Sequence, residues 1–135
     1  MKKAILTALA GLILLACGTK RDNVVSNTNN GTDTNTVEVL YFHGKQRCVT
    51  CRTIEQLARE VVAQEYSEKD VVFRVVDISQ KENAPMAEQY EVTWSSLIVA
   101  KGDKSANLTD MAFSYARSNP DRFRSELRNC INNYL

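Results

Sequence analysis

Beyond residue 36 the apolar positions fall into blocks whose spacing changes from one to the next. Val37-Glu38-Val39-Leu40-Tyr41-Phe42 alternates only loosely, which predicts a buried strand over 37–42. Ile54, Leu57, Ala58, Val61, Val62 and Tyr66 then recur at helical spacing, predicting a helix over about 49–66. Val71-Val72-Phe73-Arg74-Val75-Val76 is rich in β-branched residues and predicts a strand over 71–77. Ser79-Gln80-Lys81-Glu82 has the form of a capping box, opening a helix over about 82–90 that tolerates Pro85 in its first turn. Leu97-Ile98-Val99-Ala100 predicts a short buried strand over 96–101, Lys101-Gly102-Asp103-Lys104 a hairpin turn, and 106–109 a further short strand. Asn119-Pro120 reads as an N-cap followed by Pro at the first helical position, and Phe123, Leu127, Cys130, Ile131 and Tyr134 mark one apolar face of a helix over 119–134. This order implies an α/β domain, a mixed sheet with helices on both faces.

The first 36 residues follow different rules. Met1-Lys2-Lys3 is a short basic start, and the apolar run at 4–16 is too short for a comfortable membrane span. The run ends in Leu14-Leu15-Ala16-Cys17-Gly18, which resembles a bacterial lipoprotein signal with its lipobox. The resemblance implies cleavage before Cys17 and lipidation of that cysteine, and more than one acyl chain holds a protein stably on a membrane. From 18 to 36 Asn, Thr, Asp and Ser dominate, a composition that cannot bury enough surface to fold and reads as a solvated tether. The expected organisation is therefore a signal peptide at 1–16, a lipidated cysteine and tether at 17–35, and one domain at 36–135. Localisation follows: a lipid-anchored protein on the cell membrane or outer membrane, its domain outside the cytoplasm.

Charge adds little. The formal net charge is +1, losing Lys2 and Lys3 leaves it near neutral, and no basic stripe points to nucleic acid. The cysteines say more. Of the four, Cys17 is taken by lipid, leaving Cys48, Cys51 and Cys130. Three is odd, so a purely structural disulfide set would strand one thiol. Cys130 sits on the apolar face of the last helix, where free cysteine commonly serves as a small hydrophobe.

Arg47-Cys48-Val49-Thr50-Cys51-Arg52 lies between a predicted strand and a predicted helix, so Cys48 falls at or near a helix N-terminus. The unpaired N–H groups and the positive dipole end there favour a thiolate. Lys45, Arg47 and Arg52 add positive charge and should lower the Cys48 pKa further. The thiolate is the attacking species in disulfide exchange, and Cys51, one turn on, can resolve a mixed disulfide. His43, five residues before Cys48, is a loop polar group, a base near Cys48, or a third ligand beside two thiolates. Two Cys and one His form a soft set suited to copper or zinc.

Strand, Cys48-Val49-Thr50-Cys51, helix, strand, helix, hairpin and helix together resemble the thioredoxin fold over about 36–135. The resemblance implies Cys48 as nucleophile and Cys51 as resolving cysteine, with Trp94, Ser95 and Ser96 bordering the groove at the pair. Three features depart from the family. Ser95 or Ser96 stands where a cis-proline usually opens the strand after the second crossover helix. The buried acidic residue behind the pair has no match, Tyr41 or Phe42 taking its place. Arg47 precedes the pair and Val49-Thr50 fills it, where the family carries Trp and Gly-Pro.

The function expected is that of an enzyme, a membrane-anchored thiol–disulfide oxidoreductase acting as a monomer on protein thiols and disulfides outside the cytoplasm. Its only redox group would be its own disulfide, with no cofactor. One alternative is a module that binds or delivers copper or zinc through Cys48, Cys51 and His43. The other is a non-catalytic thioredoxin-like adaptor.

Overall fold

A continuous apolar strand needs neighbours on both edges and cover on both faces, and β1 (Val37–His43) has them: six of its seven residues are buried. The computed structural model describes residues 34–135. The signal peptide, Cys17 and all but the last two residues of the tether lie outside the described residues. Helix α1 (Val49–Glu65) follows β1 and returns the chain to β2 (Val71–Asp77), which pairs parallel to β1 from Val37↔Val71 to His43↔Asp77. A parallel neighbour requires such a crossover. On the other edge β3 (Ser96–Lys101) runs antiparallel to β1, and β4 (Lys104–Asn107) runs antiparallel to β3. The sheet order is β2-β1-β3-β4.

The strand period of two divides the core between the two faces. Val37, Val39 and Tyr41 face α1, α3 (Thr109–Tyr115) and α4 (Pro120–Tyr134), meeting Ile54, Leu57, Ala58 and Val61 from α1 and Phe123, Leu127 and Ile131 from α4. The predicted apolar stripe of α1 is buried in full, Tyr66 included, and its hydroxyl donates to Asn132 Oδ1 at 2.9 Å. Arg124–Glu60 (2.9 Å) and Arg128–Glu65 (2.8 Å) join α4 to α1 along their outer edges. Such half-exposed pairs contribute about 1 kcal/mol or less each, so the apolar seam beneath them sets the packing. On the opposite face Leu40, Phe42, Val76 and Ile98 pack against Met86 and Ala87 of α2 (Ala84–Gln89). Six residues of helix cover only part of that face. Beyond α2's reach, Glu38 is buried and accepts from Arg74 Nη1 of the adjacent strand at 2.7 Å.

Three local readings need correction. The capping box at Ser79 does not form. Its hydroxyl donates to Asp77 Oδ1 (2.7 Å) and its N–H to the same oxygen (2.9 Å), so an Asp turn takes the hydroxyl that would have capped the helix. The chain then passes through a 3-10 turn, Lys81–Asn83, before α2 begins at Ala84. The short strand starts two residues earlier than predicted, at Lys104, because the hairpin closes tightly as Lys101↔Lys104. Gly102 supplies the left-handed backbone there, at φ +59°. Helix α3 was not anticipated. Its start is fixed by Asn107 Oδ1, which accepts from Thr109 N–H at 2.9 Å, and by buried Thr109 Oγ1, which accepts from Leu97 N–H at 3.1 Å.

The start of α4 forms as expected: Asn119 Oδ1 accepts from Arg122 N–H at 3.1 Å, with Pro120 in the first turn. Asn119→Ala should cost about 1 kcal/mol and lower the thermal midpoint by roughly 4–8 °C, as read by circular dichroism. An unchanged midpoint would show that the cap contributes nothing.

Candidate active site

The loop at 44–47 leaves the end of β1 and turns the chain into α1 with Cys48 as its N-cap, at φ −72° and ψ 165°. An extended N-cap turns its side chain back over the first helical turn, which brings the second cysteine within reach. Cys48 and Cys51 are joined by a disulfide across a Cα–Cα distance of 5.0 Å. The Cys51 N–H donates to Cys48 Sγ at 3.0 Å. No acidic residue occupies the first turn of α1, so nothing there opposes negative charge on that sulfur. The two cysteines differ in access. Cys48 is exposed, whereas Cys51 is 6 % exposed and belongs to the core with Ile54 and Tyr41.

Behind the pair stands a polar group that spacing alone did not bring together. Tyr41 is fully buried, and its hydroxyl lies beside Ser95 and Arg47 without a hydrogen bond of regular geometry among the described residues. Burial pushes the phenol pKa up, while Ser95 and Arg47, both beside it, pull the other way. Arg47 forms an ion pair with Glu55 of α1, and Glu55 also accepts from Arg59 at 2.9 Å. The Arg59 guanidinium lies over the Phe73 ring, 5.1 Å from its centroid. Arg47 therefore carries a carboxylate partner. Glu55 was not singled out in the sequence; its one signal is the i, i+4 spacing to Arg59.

The other site residues are placed as follows. His43 closes β1 in register with Asp77, with Nδ1 2.9 Å from the Gly44 carbonyl oxygen and its ring 6.2 Å from that of Tyr41. The Asp77 carboxyl is held below the usual range, chiefly by the Ser79 hydroxyl and N–H, with the charge of His43 a smaller cause. Among the described residues, no three His, Cys, Asp or Glu side chains are grouped as a metal ion would need. Arg52 is exposed on the first turns of α1, and its N–H donates to the Cys48 carbonyl at 3.1 Å.

Trp94 is 55 % exposed and stacks on Phe113 of α3 with centroids 5.3 Å apart. Ser96 is buried opposite Phe42 and donates to the Trp94 carbonyl at 3.1 Å. Trp94 and Ser96 line an open depression of about 300 Å³ together with Thr109 and Asp110. A second, of about 380 Å³, runs down α1 between Arg47, Arg52, Glu55, Gln56, Arg59 and Glu60. A third, of about 550 Å³, lies between the β3–β4 hairpin and the end of α4, at the opposite end of the strands from the disulfide. Cys130 is half-buried on α4, and burial pushes its thiol pKa up. No helix among the described residues is long and apolar enough to cross a membrane.

No protein-family model and no curated protein matches the chain. Solved structures do. One is the structure of a malarial protein, 23% identical, with a TM-score of 0.51 over 75% of this chain and 99% of that one. Another is the zinc-bound form of human ERp44, 18% identical, with a TM-score of 0.52 over 78% of this chain and 29% of that one.

Proposed function

Starting from a thioredoxin-like fold with the Cys48–Cys51 disulfide at the head of its first helix, we propose that the protein is a thiol–disulfide oxidoreductase. The unequal access of the two sulfurs carries this reading: Cys48 is exposed and Cys51 is buried beneath it. A sulfur that meets a substrate must be reachable, and one that only completes the exchange need not be. In the reducing direction the Cys48 thiolate attacks one sulfur of a substrate disulfide, forming a mixed disulfide and releasing the other half as a thiolate. Cys51, as thiolate, then attacks Cys48 Sγ and releases the second substrate thiolate. Two electrons pass to the substrate, and the Cys48–Cys51 bond remains. The oxidising direction is the reverse. The Cys51 N–H aimed at Cys48 Sγ and the open end of α1 both stabilise charge on the attacking sulfur. All electrons move between sulfurs, so the exchange requires no cofactor.

The finer reading is that Cys17 anchors the chain to a membrane and the domain acts outside the cytoplasm on protein thiols and disulfides. The basic start, the apolar run at 4–16 and Leu14-Leu15-Ala16-Cys17 support it. Compartments outside the cytoplasm let a close cysteine pair be oxidised.

The test is a redox equilibrium of the full-length chain in graded thiol/disulfide buffers, with free thiols alkylated and weighed. A reversible transition of two thiols is expected, the reduced:oxidised ratio of the protein changing tenfold per about 30 mV of buffer potential. Its potential chooses between oxidant and reductant. Cys130 should stay outside the transition, since burial disfavours its thiolate. Thiols that never oxidise, or that are protected by about one bound copper or zinc ion per chain, would replace this reading with the metal-binding one.

A further inference from the structure

The depression along α1, which begins at Arg47 and Arg52 on either side of the cysteine pair in sequence, is lined by three arginines, two glutamates and Gln56, and its charges are unevenly matched. Glu55 is held between Arg47 and Arg59. Glu60 accepts from Gln56 at 2.9 Å and from Arg124 of α4 at 2.9 Å. Both carboxylates are thus engaged. Arg52, exposed, has no carboxylate partner among the described residues. Its N–H donates to the Cys48 carbonyl at 3.1 Å, so Arg52 sits one helical turn after the exposed sulfur. Lys45, also exposed, adds a second positive charge on the loop entering the helix. The depression beside Trp94, at the start of β3, has the other sign, with Glu91 and Asp110 in its lining.

We infer that the α1 flank of the disulfide selects substrates carrying a carboxylate close to the reacting sulfur, with Arg52 as the residue that receives it. The inference rests on the oxidoreductase reading above. A planar guanidinium with free donors pairs a carboxylate in two parallel hydrogen bonds, so it orients the substrate sulfur as well as attracting it. Charge at the mouth of a reactive site also raises the encounter rate of oppositely charged partners, and salt weakens that effect. In the exchange the carboxylate is a spectator: the Cys48 thiolate attacks the substrate disulfide, one substrate thiolate leaves, and the protein dithiol supplies both electrons.

The experiment uses full-length chain, first reduced with dithiothreitol and desalted. It is mixed with three disulfide-linked peptides identical except for Glu, Gln or Lys on either side of cysteine. Single-turnover rates are read as ratios, which remove any effect of Arg52 on the nucleophile itself. The Glu peptide should react about fivefold faster than the Gln peptide at low salt, the size expected of one well-placed exposed ion pair, and the Lys peptide more slowly. The Glu:Gln ratio should approach one in 1 M salt and in Arg52→Ala, and fall below one in Arg52→Glu. A ratio of one in the parent, with the Gln peptide still reduced, overturns the inference and leaves the oxidoreductase reading standing. A ratio above one that ignores both Arg52 variants overturns the assignment to Arg52. Failure of the reduced chain to reduce any of the three, together with failure of the oxidised chain to oxidise the same peptides as thiols, overturns the oxidoreductase reading and this inference with it.

Discussion

Cys48→Ser should lose disulfide exchange entirely, while Cys51→Ser should still attack and then stall as a mixed disulfide, one substrate per chain. The difference follows from where the sulfurs sit. Cys48 is the exposed N-cap of α1, and removing it leaves Cys51 buried within the core, out of a substrate's reach. Among the described residues the remaining thiol, Cys130, is half-buried on α4 with its pKa pushed up, so it supplies little thiolate to take over. In Cys51→Ser the first step is untouched, because attack needs only Cys48. Resolution is lost, because a serine hydroxyl does not displace a thiolate under these conditions. Peptide mapping of residues 34–135 after mixing with a peptide disulfide reads both outcomes: no adduct there for the first variant, and one on Cys48, released by dithiothreitol, for the second. An active Cys48→Ser, or a trapped adduct on that variant's Cys51, would reverse the assigned roles.

The second large effect lies in the layer beneath α1 and α4. Phe123 is fully buried among Leu127, Ile131 and the α1 stripe, and truncating it leaves a cavity between α4 and the sheet. Phe123→Ala should cost roughly 3–5 kcal/mol, a large share of the ~5–15 kcal/mol typical of a whole domain. The thermal midpoint should fall by about 12 °C or more. Val72→Ala provides the contrast, since Val72 is 40 % exposed on the edge strand and its truncation should stay within about 0.5 kcal/mol. Chemical denaturation of both variants checks the pair. Equal losses would mean that the edge strand, not the α1–α4 layer, carries the fold.

What could be read from the chain before its structure follows from how each element buries its residues. β1, β2 and β3 are dominated by apolar and β-branched residues, interrupted within β1 and β2 only by Glu38 and Arg74, and α1 and α4 repeat large apolar residues every three or four positions, so each announces its period. Helix α3 does not. Its fully buried contact is Ala112, with Ala116 just beyond its end, and both are small residues that add little to an apolar pattern. Its large ones, Met111, Phe113 and Tyr115, alternate with period two and imitate a strand. Only the packing of α3 against α4 and β3 settles the matter.

The site divides in the same way. Cys48 at a helix head follows from a strand meeting a helix, a local fact. The Arg47–Glu55 pair bridges a loop and the second turn of α1, and Ser95 reaches Tyr41 only because β3 lies beside β1. No local pattern encodes either.

The chain enters β1 at Val37 and reaches the cysteines only after the strand's seven residues, a rise of about 20 Å. The neighbouring strands confirm the direction: Glu38 lies opposite Ala100 near the hairpin, and Phe42 opposite Ser96 near the disulfide. Any anchor upstream of residue 34 therefore grips the domain by its rear pole and leaves the reactive sulfur facing outward. With such an anchor, the length of chain before β1 would set how far the domain ranges, not whether its sulfur is presented. Steric shielding by a surface bearing that anchor would fall on the hairpin end, leaving the disulfide open to whatever diffuses past.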